Sequence, residues 1–356
     1  MTVTRPQVVD LTGAGSRHAT EPAGGRRRVV ALDAVRGLAI VVLLTAMHPG
    51  PRGAFPAQYQ HPEWHGLSFI DLFFPVFLFA VGASIPFSSR GERAGAVAWR
   101  AAKLFLIGVA LVSVTNGELR PAGVLQHIAI AYLVAWLVLQ LPRRAQVAVA
   151  VGALGAAWAA FVAFAEGPDP WSMEGGFAHD VNTWFFGNFR TEGIPQSVLS
   201  ALNVLVGAWC GQLVRATPDP RRLVQRAALL AAGLVVAGLA LSGWVPINKK
   251  LWTPSYVLVT AGASVAFFAA FAWLLEVRRW RAWAQPLVEL GSNAIGVYIA
   301  VILALGFLPR VRGPIDRALD DLASPAVITW GWAVAWLLLG WLVCRWLYRR
   351  RLFLKI

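Results

Sequence analysis

Charge is scarce in this chain: 14% of its 356 residues are Asp, Glu, Lys or Arg, while 57% are hydrophobic, where a soluble domain carries roughly a quarter charged residues. That excludes a cytosolic enzyme. Acids are scarcer still, 18 against 32 bases, for a formal charge of +14. Cysteine occurs twice, as Cys210 and Cys344, each inside an apolar run. A disulfide scaffold and a CxxC metal knuckle are thereby excluded, and both thiols read as packing residues. The glycines show no triplet period and 12% of residues are aromatic, which excludes collagen and a disordered chain. Residues 1–28 lack the apolar h-region of a signal peptide and end in Arg26, Arg27 and Arg28. They read as a disordered cytoplasmic tail, and residues 29–356 as a transmembrane domain. No internal repeat is evident, which weighs against an inverted-repeat transporter.

What the chain does have is a succession of apolar stretches near the bilayer-spanning length. Ten are found, at 30–47, 68–88, 98–115, 122–141, 145–165, 194–214, 224–242, 254–276, 287–308 and 325–347. The predicted fold is therefore all-α, a polytopic integral membrane protein of about ten transmembrane helices. Bases alternate in density from one connection to the next, with Arg26–Arg28, Arg90, Arg93, Arg100, Lys103, Arg143, Arg144, Arg215, Arg278 and Arg349–Arg351 on one side. Short cytoplasmic loops collect Lys and Arg, so both termini are predicted to be cytoplasmic, and topology explains the charge without nucleic acid. The opposite connections, 48–67, 166–193, 243–253 and 309–324, are longer and carry Trp, His, Asn and acids. Loops of that length tend to carry function. The 166–193 loop, with Glu166, Asp169, Glu174, Asp180 and Glu192, suits either a cationic or polyhydroxylated partner or a solvated rim.

Charged groups inside membrane segments need a reason. Asp33 and Arg36, three apart in LDAVRG, share a helical face and can pair, for packing or for function. Asp71, in SFIDLFFP, opens the second stretch, where a carboxylate meets the positive end of the helix dipole as a cap or as an active group. The densest polar cluster runs from Met47 to Phe69 and contains His48, His61, Glu63, Trp64 and His65. His61 is a candidate general base or nucleophile, because imidazole exchanges a proton near neutral pH. A metal site is the second reading, since His61, Glu63 and His65 alternate after an extended Pro62, and a merely exposed histidine is the third.

In VPINKKLWTPSYV, residues 245–257, Asn248 and Lys249 supply donors while Trp252 and Tyr256 supply flat faces. That set suits an acyl carbonyl or a sugar ring, and equally an interfacial aromatic belt. Arg120, Gln126 and His127 in RPAGVLQHIA, with Ser292 and Asn293 in ELGSNAIGVY, need polar partners or act as glue between helices. Pro75 and Gly82 suit a kink or close helix packing.

The ordered set LDAVRGLAI, QHPEWHGLSFIDLFFPVFLFAVGAS, RPAGVLQHIAIAYL, RTEGIPQSVLSALNVLVGAWCGQLV, VPINKKLWTPSYVL, LGSNAIGVYI and LYRRRLFLKI resembles the membrane domain of the heparan-α-glucosaminide N-acetyltransferase family over residues 31–356. The LDxxRG helix alone also resembles membrane O-acyltransferases. The resemblance implies acetyl transfer, to N or O, from cytosolic acetyl-CoA to an amino-sugar or related glycan acceptor on the outer face. It implies that His61, in H-x-x-W-x-G-L with Trp64, Gly66 and Leu67 in step, is the catalytic histidine, with Asp71, Asn248 and Lys249 beside it. Trp64, Glu192, Trp252, Ser255 and Tyr256 are the implied acceptor-binding residues. Arg100, Arg120, Gln126, His127 and Asn293 are the implied coenzyme A contacts. Met47 with His48, His65 and His127 depart from the family pattern, where relatives carry Asn, Asn and Arg.

On that reading His61 deprotonates the acceptor directly or first accepts the acetyl group, and Asn248 or Lys249 stabilises the oxyanion. The expected partners are the lipid bilayer, the coenzyme A thioester and the glycan, with a homodimer left open and neither nucleic acid nor metal expected. The expected location is the bacterial cytoplasmic membrane. Two alternatives stand: a transporter or flippase for a lipid-linked sugar, which a broken helix would favour, and a metal sensor built on His48, His61, Glu63 and His65.

Overall fold

A computed structural model describes residues 30–46, 55–88, 93–319 and 322–353. The expected tail at 1–28, and Met47, His48, Arg52, Arg90 and Lys355, lie outside the described residues. Every described regular element is helical, and each of the ten apolar stretches falls on helix. Seven helices are long and apolar enough to cross a membrane among the described residues, and eight if the bent pair Ala282–Ser292 and Ala294–Gly306 is one span. The first and fourth stretches give helices of 17 and 16 described residues, short of the roughly 20 that a hydrocarbon core requires. The chain is thus an all-α integral membrane protein.

The chain falls into two compact units, the first holding residues up to 60, 219–224 and 267–355, the second 61–218 and 225–266. In the first unit, α1 (Val30–Ala46) packs against α10 (Gln285–Ser292). The glycine of LDAVRG explains the closeness: a Cβ on Gly37 would lie 1.9 Å from the Leu287 carbonyl oxygen, and one on Gly291 2.1 Å from that of Asp33. Asp33 and Arg36 do pair, at 3.3 Å. The long helices α11 (Ala294–Leu319) and α12 (Pro325–Arg349) complete this unit. Ser324 caps α12 by accepting from the Val327 N–H, and Pro325 takes the first turn, where its missing donor costs nothing.

The second unit is arranged around α7 (Ile194–Ala216), which is buried along most of its length. Around it pack α2 (Phe73–Ser84), α4 (Val124–Leu139), α5 (Arg143–Ala163) and the short α6 (Phe177–Phe186). The helix α3 (Ala94–Asn116) lies on α4. Two further helices, α8 (Pro220–Leu241) and α9 (Pro254–Ala272), begin in different units by sequence and meet within the second, where Gly238 and Gly262 lie against Val259 and Val235. Large apolar side chains stay uncovered on α3, α5 and α8, among them Leu106, Val151, Trp158, Leu229 and Val236, as helices facing hydrocarbon require. Cys210 and Cys344 are free and fully buried.

The 166–193 connection is not a plain loop. It contains α6, bounded by Gly176 and by Gly187, whose φ of +74° and N–H bond to the Thr183 carbonyl end the helix in the left-handed conformation. Ten residues are too few to register as a span. Asn182 of α6 is fully buried and its oxygen accepts from the Ile194 N–H, fixing the entry to α7.

Candidate active site

Ser68-Phe69-Ile70-Asp71 is a capping box at the tight turn that opens α2: the Ser68 N–H and hydroxyl both donate to Asp71 Oδ2, at 3.0 and 2.8 Å. The fully buried Asp71 carboxylate then offers Oδ1 to two further groups. His61 Nδ1 lies 2.6 Å away and the Lys249 ammonium 3.1 Å. An ionised carboxylate only accepts, so the His61 proton sits on Nδ1 and the Nε2 lone pair faces outward on a half-exposed ring. Lys249 Nζ stands 3.4 Å from that Nε2. The Tyr256 hydroxyl donates to the Asp71 backbone carbonyl at 2.7 Å, tying α9 to the same turn.

Lys249 is delivered by a turn that Asn248 and Thr253 build. Asn248 Oδ1 accepts from the Leu251 N–H at 2.9 Å, the Asn248 N–H donates to Thr253 Oγ1, and Thr253 and Ser255 hydroxyls both donate to the Pro246 carbonyl. Trp252 leaves this turn with φ +57°, a left-handed conformation costing about 1–2 kcal/mol in a residue with a side chain. Its indole is thereby fully buried and packs on Phe74, Tyr256 and His127.

His61, Trp64, Asp71, Glu192, Lys249 and Trp252 line one pocket of about 150 Å³. Trp64 is fixed by donating its indole N–H to the Trp171 carbonyl at 2.6 Å, and Lys250 donates to the Glu63 carbonyl while lying over the Trp64 ring. Gly66, at φ +120°, returns the chain so that its N–H reaches the Ile247 carbonyl at 2.8 Å. The pocket thus presents an imidazole nitrogen, an ammonium and a carboxylate within one concavity, a set able to accept a proton, stabilise an anion and hold a cationic or hydroxylated ligand.

A profile described as heparan-alpha-glucosaminide N-acetyltransferase, catalytic, matches residues 28–242. The chain belongs to this family. It is 25% identical to the mouse protein named heparan-alpha-glucosaminide N-acetyltransferase and 23% identical to the human one, over 92% of this chain in each case. The chain spans 60% of the length of those curated relatives. The matched range contains His61, Trp64, Asp71 and Glu192, and the Lys249 turn lies beyond it.

Other residues that the family resemblance nominated fall elsewhere. Asn248 and Ser255 are spent on the turn itself, although Asn248 Nδ2 also lies 3.2 Å from His65 Nδ1. His65 and His61 thus face different partners, and among the described residues no group of three or more His, Cys, Asp or Glu is placed to hold a metal. His127 sits beneath Trp252, with Nε2 2.7 Å from the Ser200 hydroxyl. Ser200 already donates to the Ser197 carbonyl, so the proton in the His127 pair is on Nε2. Gln126 donates to the Arg120 carbonyl at the α3–α4 connection, and Arg100 lies over the Tyr132 ring. Arg100 and Arg120 do not line the pocket. Asn293 belongs to the first unit, where it donates to the Leu352 carbonyl.

Sequence reasoning passed over Ser68, Lys250 and the Asn182–Gln196 pair that reaches the Lys250 carbonyl. For Ser68 a signal existed, since Ser-x-x-Asp before an apolar run is a capping signature.

Burial lowers the pKa of Lys249 from the usual lysine value, and the Asp71 carboxylate opposes that shift. If the ammonium takes part, activity should therefore fall as pH rises through a value below that of a free lysine. The Lys249→Arg variant, whose guanidinium stays charged, should lose that alkaline limb. An identical limb in both proteins would remove Lys249 from the pH profile.

Proposed function

We propose that this protein transfers an acetyl group from acetyl-CoA to an amino-sugar or related glycan acceptor across the membrane, with His61 as the general base or the transient acetyl carrier. The observation that carries this reading is the 2.6 Å contact between His61 Nδ1 and the buried Asp71 Oδ1. A carboxylate so placed fixes the tautomer that leaves Nε2 basic, and it stabilises the imidazolium once a proton arrives. In direct transfer, Nε2 takes the acceptor's proton as its nitrogen or oxygen attacks the thioester carbonyl. The C–S bond of the tetrahedral intermediate then breaks, coenzyme A leaving as the thiolate that takes the proton from Nε2. In the two-step route, Nε2 attacks that carbonyl and coenzyme A leaves as the thiolate. The acceptor then attacks the acetyl-imidazolium, the bond to Nε2 breaks, and the acceptor's proton passes to the freed imidazole and on to the thiolate.

Lys249, close to the ring, is the donor best placed for the tetrahedral oxyanion, an effect worth about 3–4 kcal/mol. Glu192, across the same pocket, would hold an acceptor's ammonium or hydroxyls, and Trp64 would stack on its ring. Among the described residues, Trp252 Nε1, His127 Nδ1 and Gln126 Oε1 are buried without a hydrogen-bond partner, which would suit a ligand carrying amides, such as the pantetheine arm. The bound thioester supplies an activated acyl group. The alternating bases support donor entry from a cytoplasmic face and both termini on that side.

The test is purified protein, radiolabelled acetyl-CoA and a panel of amino sugars. Wild type should acetylate an acceptor, and His61→Ala should lose about 10²–10⁴-fold in turnover. Turnover that survives the substitution would remove His61 from the chemistry. Label retained on wild type without acceptor would favour the two-step route.

A second reading has one observation of its own. The helices Ala282–Ser292 and Ala294–Gly306 are bent by 67°, and discontinuous helices line substrate paths in transporters. A flippase for a lipid-linked sugar would move its substrate without consuming thioester.

A further inference from the structure

The first unit contains a cavity of about 610 Å³, which Asn293 lines and which shares no residue with the His61 pocket. Ligand pockets occupy roughly 300–1,000 Å³, so its size suits a molecule rather than a packing flaw. It exists because α11 and α12 touch at few points, while α1 packs closely on α12. Val297 and Val301 of α11, Trp336, Leu339 and Val343 of α12, and Leu44 of α1 give it apolar walls. Water would find almost no partners on such walls. Hydrocarbon would.

One end of the cavity is bounded by a basic turn. After α12 ends at Arg349, Arg351 adopts φ +57°, and the Leu352 N–H returns to the Leu347 carbonyl. That reversal lays Leu352 and Phe353 along the cavity, with the Leu352 carbonyl accepting from Asn293 Nδ2 at 3.2 Å. Arg349, Arg350 and Arg351 therefore lie at this end, all exposed. Arg345, one turn earlier, stacks over Trp341. No Asp or Glu occurs between Pro325 and Phe353, and Glu289 of α10 is an acid on the Arg345 side, accepting from the Trp341 indole N–H at 2.8 Å. An apolar slot edged by Leu352 and Phe353, with three exposed arginines directly before them in the chain, matches a long chain ending in an anion, and basic clusters beside spanning helices attract anionic headgroups.

We infer that this cavity binds one acyl chain of an anionic phospholipid, whose phosphate meets Arg349, Arg350 and Arg351. The inference is independent of the acetyl-transfer reading. The test is native mass spectrometry of the delipidated full chain, titrated with phosphatidylglycerol or phosphatidylcholine in detergent. Wild type should retain one phosphatidylglycerol per chain in preference to phosphatidylcholine. Ala300→Phe, which places a ring in the cavity from a lining position, should abolish retention of both lipids. The triple variant Arg349→Ala, Arg350→Ala, Arg351→Ala should keep chain binding but lose preference for phosphatidylglycerol by about a hundredfold, on roughly a fivefold factor per charge. Equal retention of the two lipids by wild type, or undiminished retention by Ala300→Phe, would overturn the proposal. So would a change of oligomeric mass in Ala300→Phe, which would make a second copy of the chain the occupant. Monodisperse elution of each variant establishes that folded protein is being compared.

Discussion

Replacing Asp71 by Asn is expected to lower kcat for acetyl transfer by about 10³–10⁴-fold, as loss of the acid behind a catalytic histidine does elsewhere. The substitution preserves shape, and its oxygen can still accept from Ser68. What it removes is the charge 2.6 Å from His61 Nδ1 and 3.1 Å from Lys249. An amide at that distance can turn its own N–H toward the ring, which places the proton on Nε2 and leaves no base facing the pocket. The partly buried Lys249 ammonium also loses its counter-charge. The effect should fall on kcat more than on KM, because Asp71 acts through the ring rather than on substrate. Activity within a factor of a few of wild type would mean that the His61–Asp71 contact only holds the turn.

Substituting Gly82 by Ala should cost about 1–3 kcal/mol of stability and lower the yield of folded protein. A Cβ there would lie 1.9 Å from the Val204 carbonyl oxygen, a backbone atom that cannot swing aside. On the other side of the same contact, a Cβ on Gly207 would lie 2.1 Å from the Phe79 carbonyl oxygen, and one on Gly211 2.5 Å from that of Ala83. Helices α2 and α7 thus touch backbone to backbone. Since the α2 entry carries Asp71 and the α7 entry follows Glu192, their separation would also widen the pocket and weaken acceptor binding. Thermal unfolding followed by size-exclusion fluorescence would measure the first effect and KM the second. A Gly82→Ala protein with unchanged melting would contradict the packing described.

These two substitutions mark where the sequence was legible and where it was not. The helical class followed from run length, and the described part of each expected stretch lies mainly on helix, with the ninth broken at Asn293. His61, Trp64, Asp71, Glu192, Lys249 and Trp252 were nominated by motif and do share one pocket. Their distances were invisible, because Lys249 is 188 residues from His61 and only the fold closes that gap. Asn248 shows the converse. Its amide suggested an oxyanion donor, but the structure spends its oxygen on the Leu251 N–H. The metal alternative for His61, Glu63 and His65 assumed an extended strand, whereas residues 63–66 bend and Gly66 takes a positive φ. The glycines at 207 and 211 stood in the open as GxxxG, a spacing that permits close helix approach. The amphipathic α6 was hidden by its length.

The most direct measurement of the central claim uses sealed proteoliposomes with radiolabelled acetyl-CoA on one side only and the amino-sugar acceptor on the other. Wild type should place label on the acceptor in the far compartment, and His61→Ala, reconstituted in equal amount, should not. Equal labelling by the two proteins would contradict the role given to His61, and label confined to the donor's compartment would contradict transfer across the membrane.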